Sequence, residues 1–87
     1  MNSRTAENIQ EWIDELNERY GGEHHRFSVE HNKTYSRIIS TNYEQRSAYA
    51  FVDQNGDIWK AAGWKAPAKN FTRGNVITNR QYPQYGF

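Results

Sequence analysis

A chain of 87 residues and 10.3 kDa allows one small domain, and its lack of cysteine excludes disulfide staples, thiol catalysis and thiolate zinc sites. Only 36% of the residues are hydrophobic but 15% are aromatic, which excludes a disordered polar chain and requires a core built largely from rings. The net charge of +1 conceals a division: residues 1–31 carry seven acidic against three basic side chains, residues 32–87 carry eight basic against three acidic, and no carboxylate side chain follows Asp57.

The first predicted element is a helix over about 4–20, capped by Ser3 or Thr5, with Glu7 in its first turn facing the positive end of the dipole. Ile9, Trp12, Ile13, Leu16 and Tyr20 recur at helical spacing and form one apolar stripe, while the acidic residues occupy the remaining surface. Gly21-Gly22 ends the helix. Alternation then predicts a strand over about 25–31, with Phe27 and Val29 on one face and Arg26, Ser28 and Glu30 on the other. After a turn at Asn32-Lys33 comes a second strand, about 34–41, in which Tyr35, Arg37 and Ile39 share a face and Ser36 and Ile38 take the opposite one. Residues 42–45 read as a polar loop and about 47–52 as a third strand. Asp53-Gln54-Asn55-Gly56 is the clearest turn signal, and about 57–62 returns as the fourth strand.

A helix followed by a meander of strands predicts an α+β domain, with an N-terminal amphipathic helix packed on a three- or four-stranded antiparallel sheet. The other sheet face is then uncovered. Residues 63–75 read as an ordered basic aromatic loop and 76–87 as an extended tail, with a short strand at Asn75 to Thr78. Tyr82, Tyr85 and Phe87 would be poorly placed free in water, so the tail is expected to dock on its own chain.

Catalytic and metal-binding patterns are weak. His24 and His25 point to opposite faces of a strand, and His31 lies roughly 20 Å from His25 at about 3.3 Å per residue, too far to share one ion. The helical carboxylate pairs read as a solvated face, and there is no phosphate loop or nucleophile elbow. No catalytic residue, metal or cofactor is assigned. The strongest constellation is the alternation of cations and rings between Asp57 and Asn75. Lys60, Lys65, Lys69 and Arg73 are interleaved with Trp59, Trp64 and Phe71, a pattern in which basic heads track phosphates while exposed rings stack on unpaired bases. At least one of Ile58 and Trp59 must enter the core. Trp64 and Phe71 are open between burial and exposure, and only exposed rings make the loop a site.

The segment Phe51-Val52-Asp53, Gly56-Asp57, Trp59-Lys60-Ala61-Ala62, Trp64-Lys65-Ala66-Pro67-Ala68-Lys69 and Arg73-Gly74-Asn75 resembles a signature of small bacteriophage-encoded proteins of uncharacterised function. The resemblance implies a viral origin and expression in the cytoplasm of a bacterial host, and it transfers no catalytic residue. The layout is also similar to the double-stranded RNA-binding domain, but Pro67, Pro83 and the glycines argue against that domain's C-terminal helix.

The expectation is therefore a non-enzymatic accessory protein that binds DNA or RNA through Lys60, Trp64, Lys65, Lys69, Phe71 and Arg73. The alternative is a factor that binds or inhibits a host protein, or a minor self-associating virion component. No run of about 18 apolar residues is present, so no membrane partner is expected.

Overall fold

The structure is a computed structural model and describes residues 2–87. Its elements are α1 (Ser3–Tyr20), β1 (His25–His31), β2 (Tyr35–Asn42), β3 (Gln45–Asp53) and β4 (Ile58–Lys60). The four strands form one antiparallel sheet in the order β1-β2-β3-β4, and the helix packs across one face. The α+β expectation holds, with four strands.

The helix starts one step earlier than its hydroxyl residues suggest. The Asn2 side chain, not Ser3 or Thr5, is the cap and accepts from the Thr5 N–H at 2.8 Å. Thr5 is instead buried, and its hydroxyl donates to the Gln54 carbonyl at 2.9 Å, tying the helix start to the β3–β4 turn. Glu7 falls beyond the first turn, which holds no acidic residue. At the other end Gly21 N–H donates to the Asn17 carbonyl at 2.8 Å, so closely that a Cβ on Gly21 would lie 2.4 Å from that oxygen.

Ile9, Trp12, Ile13 and Leu16 bury against Phe27, Ile38, Tyr49, Ala50, Val52, Ile58 and Val76. Burial of a large apolar side chain contributes about 1.5–3 kcal/mol, so this stripe is what holds the sheet to the helix. Register decides which strand residues take part. The pairs Val29–Ile38 and Ile38–Ala50 run in line on the helix side, and Ser36–Val52–Ile58 forms the next row. On the other side of the Ile38–Ala50 pair the register steps to Ile39–Ala48 and leaves Tyr49 with no partner opposite, a β-bulge. Tyr49 turns into the core, with ring centroids 5.0 Å from Phe27 and 6.1 Å from Trp12.

Two connections differ from the sequence reading. Residues 42–45 form no loop: Asn42 pairs with Gln45, and the chain reverses through Tyr43 and Glu44 alone. Asn75 to Thr78 is a turn and not a strand. Asn75 and Asn79 exchange both backbone hydrogen bonds at 2.8 Å, and the Asn75 carboxamide accepts from the N–H groups of Ile77 and Thr78. That turn inserts Val76, fully buried, into the core.

The tail docks on its own chain, as expected, through Tyr82 and Phe87, but Tyr85 does not follow them and stays 94% exposed. Trp12 Nε1–H donates to the Gln81 carbonyl at 2.9 Å, Tyr20 to the Tyr82 carbonyl and Tyr49 to the Pro83 carbonyl. Three aromatic residues of helix and sheet thus find acceptors on three consecutive tail residues, and Phe87 closes the row against Tyr49 and Trp12. Arg80 reaches Glu15 at 2.9 Å and Asn8 at 2.7 Å, and Tyr82 donates to Glu15 at 2.8 Å. Burial would raise the Glu15 carboxyl, but the Tyr82 and Arg80 hydrogen bonds and the charges of Arg80 and Arg19 outweigh it and hold it below its usual range.

The outer edge of β1 meets a side chain in place of a strand: Asn17 accepts from the Phe27 N–H at 2.7 Å and donates to the Phe27 carbonyl at 3.0 Å. At about 0.5–1.5 kcal/mol for each hydrogen bond, Asn17→Ala is expected to lower urea-measured stability by about 1–3 kcal/mol. A second outcome concerns pH. Because the folded Glu15 carboxyl titrates below its unfolded value, its contribution is present above the ordinary carboxylate range and lost as pH falls through the folded value. The urea midpoints of wild type and Glu15→Gln should differ at pH 7 and converge as the pH falls below about 4.

Candidate functional site

The sheet face opposite the helix is assembled from alternate residues of all four strands. One row runs Glu30–Arg37–Phe51–Trp59, the next Ser28–Ile39–Ala48, and the last Arg26–Thr41–Arg46. Ile39 and Phe51 are almost fully buried, which is unusual for residues turned away from the helix. They are covered because residues 61–68 fold back over this face. Ala61 pairs with Pro67, Ala62 N–H donates to the Ala66 carbonyl at 3.0 Å, and Trp64 lies at the apex.

Arg37 fixes that apex. Its Nε–H donates to the Trp64 carbonyl at 2.7 Å, another guanidinium nitrogen pairs with Glu30, and its side chain is only 12% exposed. The guanidinium carbon stands 4.7 Å from the Trp64 ring centroid, and that of Arg46 stands 5.2 Å away. Two cations therefore address one indole, an arrangement favoured by the ring quadrupole. Trp64 nevertheless remains 38% exposed. Arg37, engaged on several sides, positions the ring; Arg46 is exposed and available.

The surrounding groups continue the same chemistry. The Lys69 ammonium lies 5.4 Å from the Tyr35 ring and 5.5 Å from Trp59. Hydrogen bonding with the Tyr35 phenol, with a smaller contribution from the Asp53 charge, raises the Lys69 pKa above its ordinary value. Trp59 is half-buried and donates to Asp53 at 3.0 Å, whereas its neighbour Ile58 is the core member of the pair. Lys33, Tyr35, Arg37, Phe51 and Lys65 line a cavity of about 230 Å³ beside the Trp64 loop.

The six residues singled out from the sequence separate into three places. Trp64, Lys65 and Lys69 share the basic sheet face. Lys60 pairs with Ala50 on the helix side and lines a polar groove of about 530 Å³ with Gln84 to Phe87. Phe71 and Arg73 stack on each other, guanidinium carbon 3.8 Å from the ring centroid, and border a different depression beside Asn79 and Tyr82. Gly74 shapes that border: its φ is 132°, and a Cβ there would lie 2.5 Å from the Asn79 carbonyl oxygen. The loop-centred reading omitted Arg37, Arg46, Lys33 and Tyr35. The alternation of Tyr35, Arg37 and Ile39 carried a signal for two of these, since the face they share is the one the helix leaves uncovered.

The fold and this face define an α+β domain, one helix on a four-stranded sheet, whose second face is basic and aromatic. The chain belongs to a family of unknown function, DUF7717, whose model matches residues 1–85. Neither a curated protein nor a solved structure matches it.

Trp12 is fully buried and Trp59 half-buried, which leaves Trp64 as the indole most open to solvent. Trp64→Phe is therefore expected to remove most of the iodide-quenchable tryptophan fluorescence, and Trp59→Phe much less of it. Equal quenching of wild type and Trp64→Phe would contradict this placement.

Proposed function

We propose that this domain is a non-enzymatic accessory protein that binds single-stranded nucleic acid, DNA or RNA, on the sheet face opposite its helix. The observation that carries the reading is Trp64, an indole held in place by Arg37 yet 38% exposed, with exposed Arg46, Lys65 and Lys69 around it. An exposed ring stacks on any unpaired base for about 1–3 kcal/mol, and the cations supply phosphate contacts without sequence preference. A duplex keeps its base faces stacked and cannot use the ring in this way. The basic excess after residue 31 favours a polyanionic partner, and of its eight cations Arg80 is engaged within the fold by Glu15. Expression from a bacteriophage genome within a bacterial cell is part of the same proposal and rests on the resemblance of residues 51–75.

In this reading Trp64 stacks on a base while Lys65, Lys69, Lys33 and Arg46 track the backbone. Lys60, Phe71 and Arg73 lie outside the contact. The test is fluorescence anisotropy with labelled single-stranded DNA and RNA of mixed sequence. Affinity should fall as salt is raised from about 50 to 300 mM, with a log–log slope near −3 if about four phosphates are contacted. Trp64→Ala should weaken binding by about 1–3 kcal/mol while leaving the tail-docked helix side intact. No detectable binding at about 50 mM salt, or affinity indifferent to salt, would sink the proposal.

A further inference from the structure

The β2–β3 hairpin reverses through Tyr43 and Glu44, both at positive φ, 54° and 80°. Two positive-φ central residues make a type I′ turn, whose twist matches the strands and whose usual occupants are Asn and Gly. A residue with a Cβ, above all an aromatic one, is disfavoured there. Strain of this kind persists only where surrounding contacts enforce it and is concentrated at functional positions. Here the enforcement is visible. Tyr43 N–H donates to the His24 carbonyl at 3.0 Å, and the two rings stack with centroids 4.5 Å apart and 19° between planes. The result is a Tyr43 ring that is 69% exposed but fixed in direction, with no part in the core.

Its neighbours on the basic face argue for what meets it. The first far-face row inward from the turn is Arg26–Thr41–Arg46, with both arginines exposed. Arg46 is also one of the two cations facing Trp64. Arg46, paired with Thr41, stands on the second rung of the hairpin from the Tyr43-Glu44 turn. Ring, cations and ring therefore follow one another along the hairpin, and Glu44 is the one opposing charge at its tip.

We propose that the Tyr43–His24 stack is a second base-stacking platform, joined to Trp64 by the phosphate-facing pair Arg26 and Arg46, so that the domain engages two separated bases of one single strand. This rests on the nucleic-acid reading of the sheet face. The strained turn then has a function: an Asn-Gly turn of the same geometry would be easier to form but would present no ring.

The test uses the full chain and labelled eight-nucleotide DNA and RNA strands of mixed sequence at about 50 mM salt. Wild type, Trp64→Ala, Tyr43→Asn and Tyr43→Phe are compared. Tyr43→Asn relieves the turn, so its thermal midpoint should equal or exceed that of wild type while its affinity falls five-fold or more. Tyr43→Phe keeps the ring and should bind like wild type. Equal affinity of Tyr43→Asn and wild type, with Trp64→Ala weakened, overturns the second platform and leaves the sheet-face reading standing. Absence of wild-type binding overturns both.

Discussion

The one extra residue in β3 sets the character of both sheet faces. Strict alternation back from Val52 and Ala50 would turn Ala48 and Arg46 toward the helix, and would place Tyr49 beside Phe51 on the other side. The bulge at Tyr49 reverses that parity halfway along the strand. Tyr49 enters the core and meets Phe27, Trp12 and Phe87, where burial, with a smaller contribution from the Tyr20 phenol, pushes its own phenol well above its usual pKa. Arg46 passes to the far face, where it meets Trp64. Without the bulge, the helix side would receive an arginine at its margin and lose a ring, and the Trp64 indole would have one guanidinium in place of two.

The core is mostly aliphatic and not, as composition suggested, built largely from rings. The rings it does hold create a second requirement, because Trp12 and Tyr49 carry donors into places where water does not reach them. An unsatisfied buried donor costs about 1–3 kcal/mol, so these buried rings need acceptors. The tail provides them. Gln81, Tyr82 and Pro83 present successive carbonyls to Trp12, Tyr20 and Tyr49, and Arg80 anchors the start of that run on Glu15 and Asn8. The tail is thus part of the core's polar lining. Its basic residue faces the acidic helix, which is why the division of charge along the chain does not translate directly into two charged ends of the molecule.

How far the sequence disclosed this architecture depends on the range over which each feature is encoded. The helix stripe from Ile9 to Leu16, the alternation around Phe27 and the Asn-Gly turn are local, and they predicted the helix, the strands and the α+β layout. The docking of Tyr82 and Phe87 followed from the cost of leaving rings in water, an argument that failed for Tyr85, which the two docked residues leave on the outside of the tail. What local pattern does not contain is pairing register. The bulge, the tight reversal at Tyr43-Glu44, and the transfer of Arg46 to the far face all depend on which residue of β2 meets which of β3. The candidate site was accordingly half legible. Trp64, Lys65 and Lys69 stand together as their interleaving suggested, whereas Lys60 is removed by strand parity and Phe71 and Arg73 by the return of the chain along β4, where Arg73 and Gly74 hydrogen-bond to Ile58.

The two faces of the sheet consequently differ in what holds them. On the helix side, burial of Trp12, Ile9, Leu16, Ile38 and Val52 fixes the structure through apolar area. On the far side a small core of Ile39 and Phe51 is closed by a loop whose apex is held by the Arg37 hydrogen bond and by cation–ring contacts. Such contacts are worth about 0.5–1 kcal/mol when exposed and more when desolvated. A polyanion approaching this face would compete for Arg46 without disturbing the helix-side core, because the two faces share strands but not side chains. The far face is thereby free to exchange intramolecular cation contacts for intermolecular ones at little cost to the fold, which is the physical condition for a binding surface on so small a domain.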